Sequence, residues 1–110
     1  MANVIDVKDC RGYRVICTEE IWYRKILVSR PWMSGWERFV SQALQTPSFI
    51  CKDKDRENRH AYYMIHVAKQ NRYVKVVVKF NSENEGFVIS AYPADSGKSG
   101  EELIWMPSRS

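Results

Sequence analysis

The sequence predicts an α+β domain, with an N-terminal strand and two helices packed on one face of a twisted antiparallel sheet of three to five strands. Three observations carry that expectation. A short alternating run at residues 12–17 precedes two stretches whose apolar residues recur at helical spacing. The second half of the chain turns to β-branched and aromatic runs separated by polar turns. Helices followed by successive strands segregate the helices to one sheet face. At 110 residues the chain suits one domain with one modest core. That core is expected at about residues 12–93, with a weakly patterned tail at 94–110.

The elements follow in order. The strand at Gly12 to Cys17 ends at Thr18, a good N-cap, and Glu19 and Glu20 suit the positive end of a helix that begins there. Ile21, Trp22, Ile26 and Leu27 form its apolar stripe, and Pro31 interrupts it. Ser34 with Glu37 three residues on has the form of a capping box for a second helix, whose stripe is Trp36, Phe39, Val40, Ala43 and Leu44 and whose stop is Pro47. Ser48 to Cys51 reads as extended, and the mixed-charge run 52–59 as a solvated loop. Residues 60–67 read as a strand. The hairpin of Tyr73 to Phe80 and Phe87 to Tyr92, joined through the turn formers at 81–86, is the centre of the sheet. Alternation gives its first strand two faces: Val74, Val76, Val78 and Phe80 on the core side, Tyr73, Lys75, Val77 and Lys79 on a cationic side. Residues 101–105 return as an edge strand or a short helix.

Charge is unevenly placed. Residues 11–79 hold fourteen Lys and Arg against six Asp and Glu, whereas the two ends are net acidic. A basic body favours polyanionic partners, RNA first, or else keeps a surface solvated. No apolar run approaches the ~18 residues that span a bilayer, so no membrane partner is expected. Asp6, Asp9 and Arg11 break any early signal-peptide core. Cys10, Cys17 and Cys51 form no CxxC pair, which points to a reducing, cytoplasmic setting and to buried thiols rather than nucleophiles. Gly97-Lys98-Ser99 lacks the upstream glycine of a phosphate-binding loop, and no dinucleotide fingerprint or spaced metal-ligand set is present, so no cofactor is expected.

What remains is a set of cations, hydroxyls and phenols on or near the sheet. Arg59, Lys75, Lys79 and Ser90, with Lys25 and Arg30 from the helical part, suit phosphate. Tyr62, His66 and Tyr92 are groups that can move protons. Cleavage of RNA by the ribose 2′-hydroxyl needs such cations on the phosphoryl oxygens and one group each to accept and donate a proton. Lys75 and Lys79 serve equally well to keep an exposed sheet face soluble.

The order Thr18-Glu19-Glu20-Ile21-Trp22, Lys25-Ile26, Arg30-Pro31, a second helix ending at Pro47, Tyr62-Tyr63, residues 74–78 and Ile89-Ser90-Ala91-Tyr92 resembles the phage-associated nuclease-like families of the barnase, EndoU, colicin and RelE class. In those families a tryptophan shortly precedes a histidine-isoleucine pair, a histidine-proline pair follows, and the closing strand ends in threonine-alanine-aromatic. Here Lys25, with one extra residue after Trp22, and then Arg30 and Ser90 take those places. The resemblance implies a small toxin- or effector-like, metal-independent endoribonuclease, with an acidic antitoxin or immunity protein as a further partner. It places Lys25 in the catalytic position and phosphate binding at Arg30 and Ser90. Arginine is a poor proton shuttle, which leaves proton transfer to His66, Tyr62 or Tyr92. Two rival expectations stand beside it: a non-catalytic nucleic-acid-binding module on the same scaffold, and a protein-interaction domain that uses Trp32 and Trp105.

Overall fold

The computed structural model describes residues 2–65, 73–95 and 100–108. Its strands are β1 (Asn3–Lys8), β2 (Arg14–Thr18), β3 (Phe49–Lys52), β4 (Arg59–Ile65), β5 (Tyr73–Phe80), β6 (Glu85–Ala94) and β7 (Glu102–Trp105). Two helices lie between β2 and β3. The chain is thus α+β, with a sheet of seven strands in the order β1-β2-β6-β5-β4-β3-β7.

The sheet is larger than the expected three to five strands, and it is mixed. The extra strands come from the two ends, β1 ahead of residue 12 and β7 from the tail. Neither end carries a long alternating run, and each strand is recruited by pairing along an existing edge, β1 on β2 and β7 on β3. The β2–β6 pair is parallel, because β6 returns to the middle of the sheet beside the strand that opened it. All other neighbours are antiparallel.

The first helix, over 19–29, starts where its sequence dictates: the Thr18 hydroxyl accepts from the Ile21 N–H at 3.3 Å. Its middle, Trp22–Ile26, is π-helical, with the Leu27 N–H bonded to the Trp22 carbonyl five residues back. A π-turn holds one residue more than an α-turn. The turn buries Trp22 and Ile26 while Tyr23, Arg24 and Lys25 stay exposed. Arg30, ahead of a proline, leaves the helical region, and Pro31–Met33 forms a 3₁₀ turn.

The second helix, Glu37–Gln45, begins later than the expected capping box requires. Glu37 is its first residue rather than its third, and its carboxylate accepts instead from the Gly35 N–H at 2.8 Å. The expected stripe holds in part: Val40, Ala43 and Leu44 are buried, whereas Phe39 and Trp36, the latter now the N-cap, are half-buried. They join Trp22, Ile26, Val74, Val76 and Val78 in one core, so both helices pack on the valine face of β5. No helix among the described residues is long and apolar enough to cross a membrane.

The other face of β5 is not the wet cationic surface that alternation suggested. β5 is central, and the layer across this face includes Phe49, Cys51, Ala61, Tyr63, Tyr73 and Ala94. Lys75 lies within it and is only 4 % exposed. At the far end of the hairpin Gly86 pairs with both Val15 and Phe80. A Cβ there would meet Val78 Cγ1 at 2.7 Å. Gly86→Ala is therefore expected to destabilise the fold by about 1–3 kcal/mol through overpacking, seen as a lower urea midpoint with an unchanged denaturant slope.

Candidate active site

A cleft of about 230 Å³ opens over β4, β5 and β6 and collects residues far apart in the chain. Lys75 and Val77 form its floor, Arg59 and Ala61 come from β4, and Ser90 and Tyr92 from β6. Lys25 reaches it from the first helix. The topology explains that reach. β2 accompanies β6 only as far as the Ile16–Phe87 pair, and the chain then turns at Thr18 into the first helix, which packs along β6. The rest of β6, with Ser90 and Tyr92, is left beside the helix. The π-turn is the segment that carries Lys25.

A β-bulge shapes the β6 wall. Val77 pairs with Ser90 and Val78 with Val88, so Ile89 has no partner across the ladder. Two residues opposite one turn the bulged strand locally, and both Ile89 and Ser90 line the cleft.

Lys75 is the centre of the site. Its Nζ lies 3.2 Å from a Glu101 carboxylate oxygen, and the two side chains are 5 % and 8 % exposed. The other Glu101 oxygen accepts the Tyr63 hydroxyl. The ammonium also lies 5.2 Å from the Tyr63 ring centroid and 5.5 Å from that of Tyr92. Burial works against the charge on Lys75, but the phenolic oxygens of Tyr63 and Tyr92 outweigh it and hold the group above the ordinary lysine value. Lys75 is thus a fixed cation. Tyr63 is held protonated, by burial first and by its bond to Glu101 second. Glu101 is brought in by Gly100, whose φ of 88° turns the chain into β7. Asp53 is a further carboxylate on the cleft, and its Oδ1 accepts from the Asp55 and Arg56 N–H groups at 2.9 and 3.1 Å.

The sequence-predicted residues divide accordingly. Lys25, Arg59, Lys75, Ser90 and Tyr92 come together on the cleft. Arg30 sits at its margin, its guanidinium 4.9 Å from the centre of the Tyr92 ring. Lys79 is exposed and does not line the cleft. His66 lies outside the described residues.

Tyr62 is a correction: it is fully buried and belongs to the opposite face of the sheet. Its hydroxyl donates to Asp9 and accepts from Arg11 Nη2 at 2.8 Å. Burial and the Asp9 carboxylate hold the phenol protonated, so it is a structural donor rather than a proton shuttle. Glu101 and Asp53 were missed. Nothing local in the tail links Glu101 to Lys75; the only hint was a carboxylate pair, Glu101 and Glu102, just ahead of an apolar run.

On that opposite face Asp9, also missed, is a buried carboxylate with a full set of donors. It accepts from the Arg11 and Tyr13 N–H groups at 2.8 and 2.9 Å, from the Arg11 guanidinium at 3.2 Å and from Tyr62. Arg11 Nη2 also lies 3.2 Å from His60 Nδ1. Arginine only donates, so Nδ1 accepts and the neutral ring carries its proton on Nε2. Burial first, and then the Arg11 cation, pull His60 down to about 4. The thiols are inert by the same physics: burial pushes Cys17 up to about 12 and Cys10 up to about 11.

No protein-family model matches the chain, and neither a curated protein nor a solved structure is significantly similar to it.

Two predictions follow from these buried charges. Lys75→Met strands Glu101 and is expected to cost about 3–5 kcal/mol, much of it recovered in Lys75→Met/Glu101→Leu, as a denaturation double-mutant cycle will show. The folded value of His60 lies below its ordinary 6.5, so the unfolded chain takes up that proton first. The contribution is fully present above pH 6.5 and is lost as pH falls toward about 4. His60→Gln removes that part of the pH dependence in urea titrations at pH 7 and 5.

Proposed function

We propose that the chain is a small endoribonuclease that binds the RNA phosphodiester in this cleft and promotes attack of the 2′-hydroxyl on the adjacent phosphate. The observation that carries the reading is a buried, permanently charged Lys75 at the floor of a cleft whose walls add Lys25 and Arg59. A desolvated cation contributes little net stability over an apolar replacement, yet it is the group best suited to stabilise charge that develops on phosphoryl oxygens. Strongly perturbed ionisable groups in a cleft point to chemistry.

In this reading Lys25 and Arg59 hold the flanking phosphates and Lys75 faces the reacting one. Ser90 donates a hydrogen bond to a non-bridging oxygen. Glu101 accepts the 2′-hydroxyl proton as the 2′-oxygen–phosphorus bond forms. Tyr92 donates its proton to the departing 5′-oxygen as that bond breaks, giving a 2′,3′-cyclic phosphate and a 5′-hydroxyl; solvent then returns the proton from Glu101 to Tyr92. The Arg30 guanidinium over the Tyr92 ring lies against the group that carries the transient negative charge. The same cations suit an acidic protein laid over the cleft, the partner that a cytoplasmic nuclease of toxin type requires.

One observation favours a second reading, a binding module without cleavage. Glu101 is already engaged by both Tyr63 and Lys75, so the cleft can hold a phosphate without a base released to act.

The deciding experiment is incubation of the protein with mixed RNAs in EDTA, with mass analysis of the new ends. Cyclic phosphates that disappear in Glu101→Gln and Tyr92→Phe support the nuclease. RNA retention without new ends selects the binding module, and neither cleavage nor retention sinks both. For either reading, Lys25→Ala is expected to weaken RNA binding and lower the slope of log affinity against log salt by about 0.7.

A further inference from the structure

The 3₁₀ turn Pro31–Met33 treats its two large side chains in opposite ways. Met33 is fully buried, while Trp32 is 44 % exposed. Trp32 is held in place by an edge-to-face contact with Trp36, centroids 5.3 Å apart. Trp36 in turn packs on Phe39 at 5.3 Å, and the Arg38 guanidinium lies 5.2 Å from the Phe39 centroid. A cation thus lies beside the strip at Phe39. Arg30, two residues before Trp32, places its guanidinium 4.9 Å from the ring centre of Tyr92, a residue of the cleft. Two peptide links bound the Arg30 and Trp32 Cα atoms within about 7.6 Å of each other.

We propose that Trp32 is a base-stacking platform for an unpaired nucleotide next to the one whose phosphate occupies the cleft, and that the substrate is therefore single-stranded RNA. This rests on the cleft being an RNA site. Aromatic rings spaced among cations are the arrangement that binds single strands, with bases stacking on the rings and phosphates following the charges. A ring already held by a neighbour loses little freedom when a base stacks on it. The cations beside the strip, Arg30 and Arg38, match the phosphates of such a strand and disfavour a basic partner. A duplex keeps its base faces buried in its own stack, so it cannot use Trp32.

The test uses a fluorescein-labelled 2′-O-methyl hexauridylate, which binds but cannot be cleaved through the 2′-oxygen, with anisotropy as the readout. Trp32→Ala is expected to weaken hexamer binding about 5- to 100-fold, Trp32→Phe to retain most of it, and both to leave uridine monophosphate binding unchanged. The same oligomer annealed into a duplex is expected to bind wild type and Trp32→Ala equally. Unchanged hexamer affinity in Trp32→Ala overturns the inference, as does a duplex that binds wild type as tightly as the single strand. If hexamer binding depends on Lys25 and Arg59 but not on Trp32, only this inference falls. If wild type binds no hexamer, the RNA reading of the cleft falls with it.

Discussion

The ion pair between Lys75 and Glu101 is the constraint on which this structure turns. An ammonium buried in the central strand is tolerable only if its charge and its donors are met. Meeting them draws on four parts of the chain. β5 supplies the lysine, β4 the Tyr63 hydroxyl, β6 the Tyr92 ring and the segment entering β7 the carboxylate. The aromatic trio of Phe49, Tyr63 and Tyr73 packs beside the pair, with Phe49 and Tyr63 stacked at 4.7 Å. β7 is thus held by more than its ladder to β3, and a tail with little pattern of its own becomes part of the fold.

The opposite face repeats the device. Tyr62 and Tyr63 are neighbours in β4 and point to opposite sides of the sheet. Each donates its hydroxyl to a carboxylate from a terminal segment, Asp9 for Tyr62 and Glu101 for Tyr63. Each carboxylate also pairs with a cation, Arg11 on one face and Lys75 on the other. One dipeptide therefore anchors both ends of the chain to the middle of the sheet. The two faces differ in use. On one, His60, Tyr13 and Phe80 pack around the Arg11 guanidinium. On the other, the cation remains at the floor of a cleft lined by further basic residues.

Local rules carried a good part of the fold. Thr18 as a cap, the stop at Pro31, the Val40, Ala43 and Leu44 part of the second helix's stripe and the central hairpin all depend on near neighbours, and they appear as read. The capping box at Ser34 did not, because the 3₁₀ turn ahead of it consumes Ser34 as its own end. The strand β1 was not legible, and β7 was legible only as an edge strand or a short helix, because their pairing is decided by edges that exist only once the sheet has formed. Lys25, Arg59, Lys75, Ser90 and Tyr92, singled out by residue type, share the cleft. Tyr62, chosen as a group that can move protons, lies buried on the helix-covered face: alternation shows that adjacent residues part company, not which of them goes inward.

The sequence by itself determined that two helices and a hairpin-centred sheet would form and that cations and phenols would gather on it, since propensity, capping and alternation act within a few residues. Tertiary structure alone decided that Lys75 is buried, that Glu101 neutralises it, that a bulge turns Ile89 and Ser90 together into the cleft, and that a π-turn brings Lys25 to its wall. Those outcomes depend on sheet order, on register and on contacts between the two ends of the chain and its centre, none of which is written in local spacing.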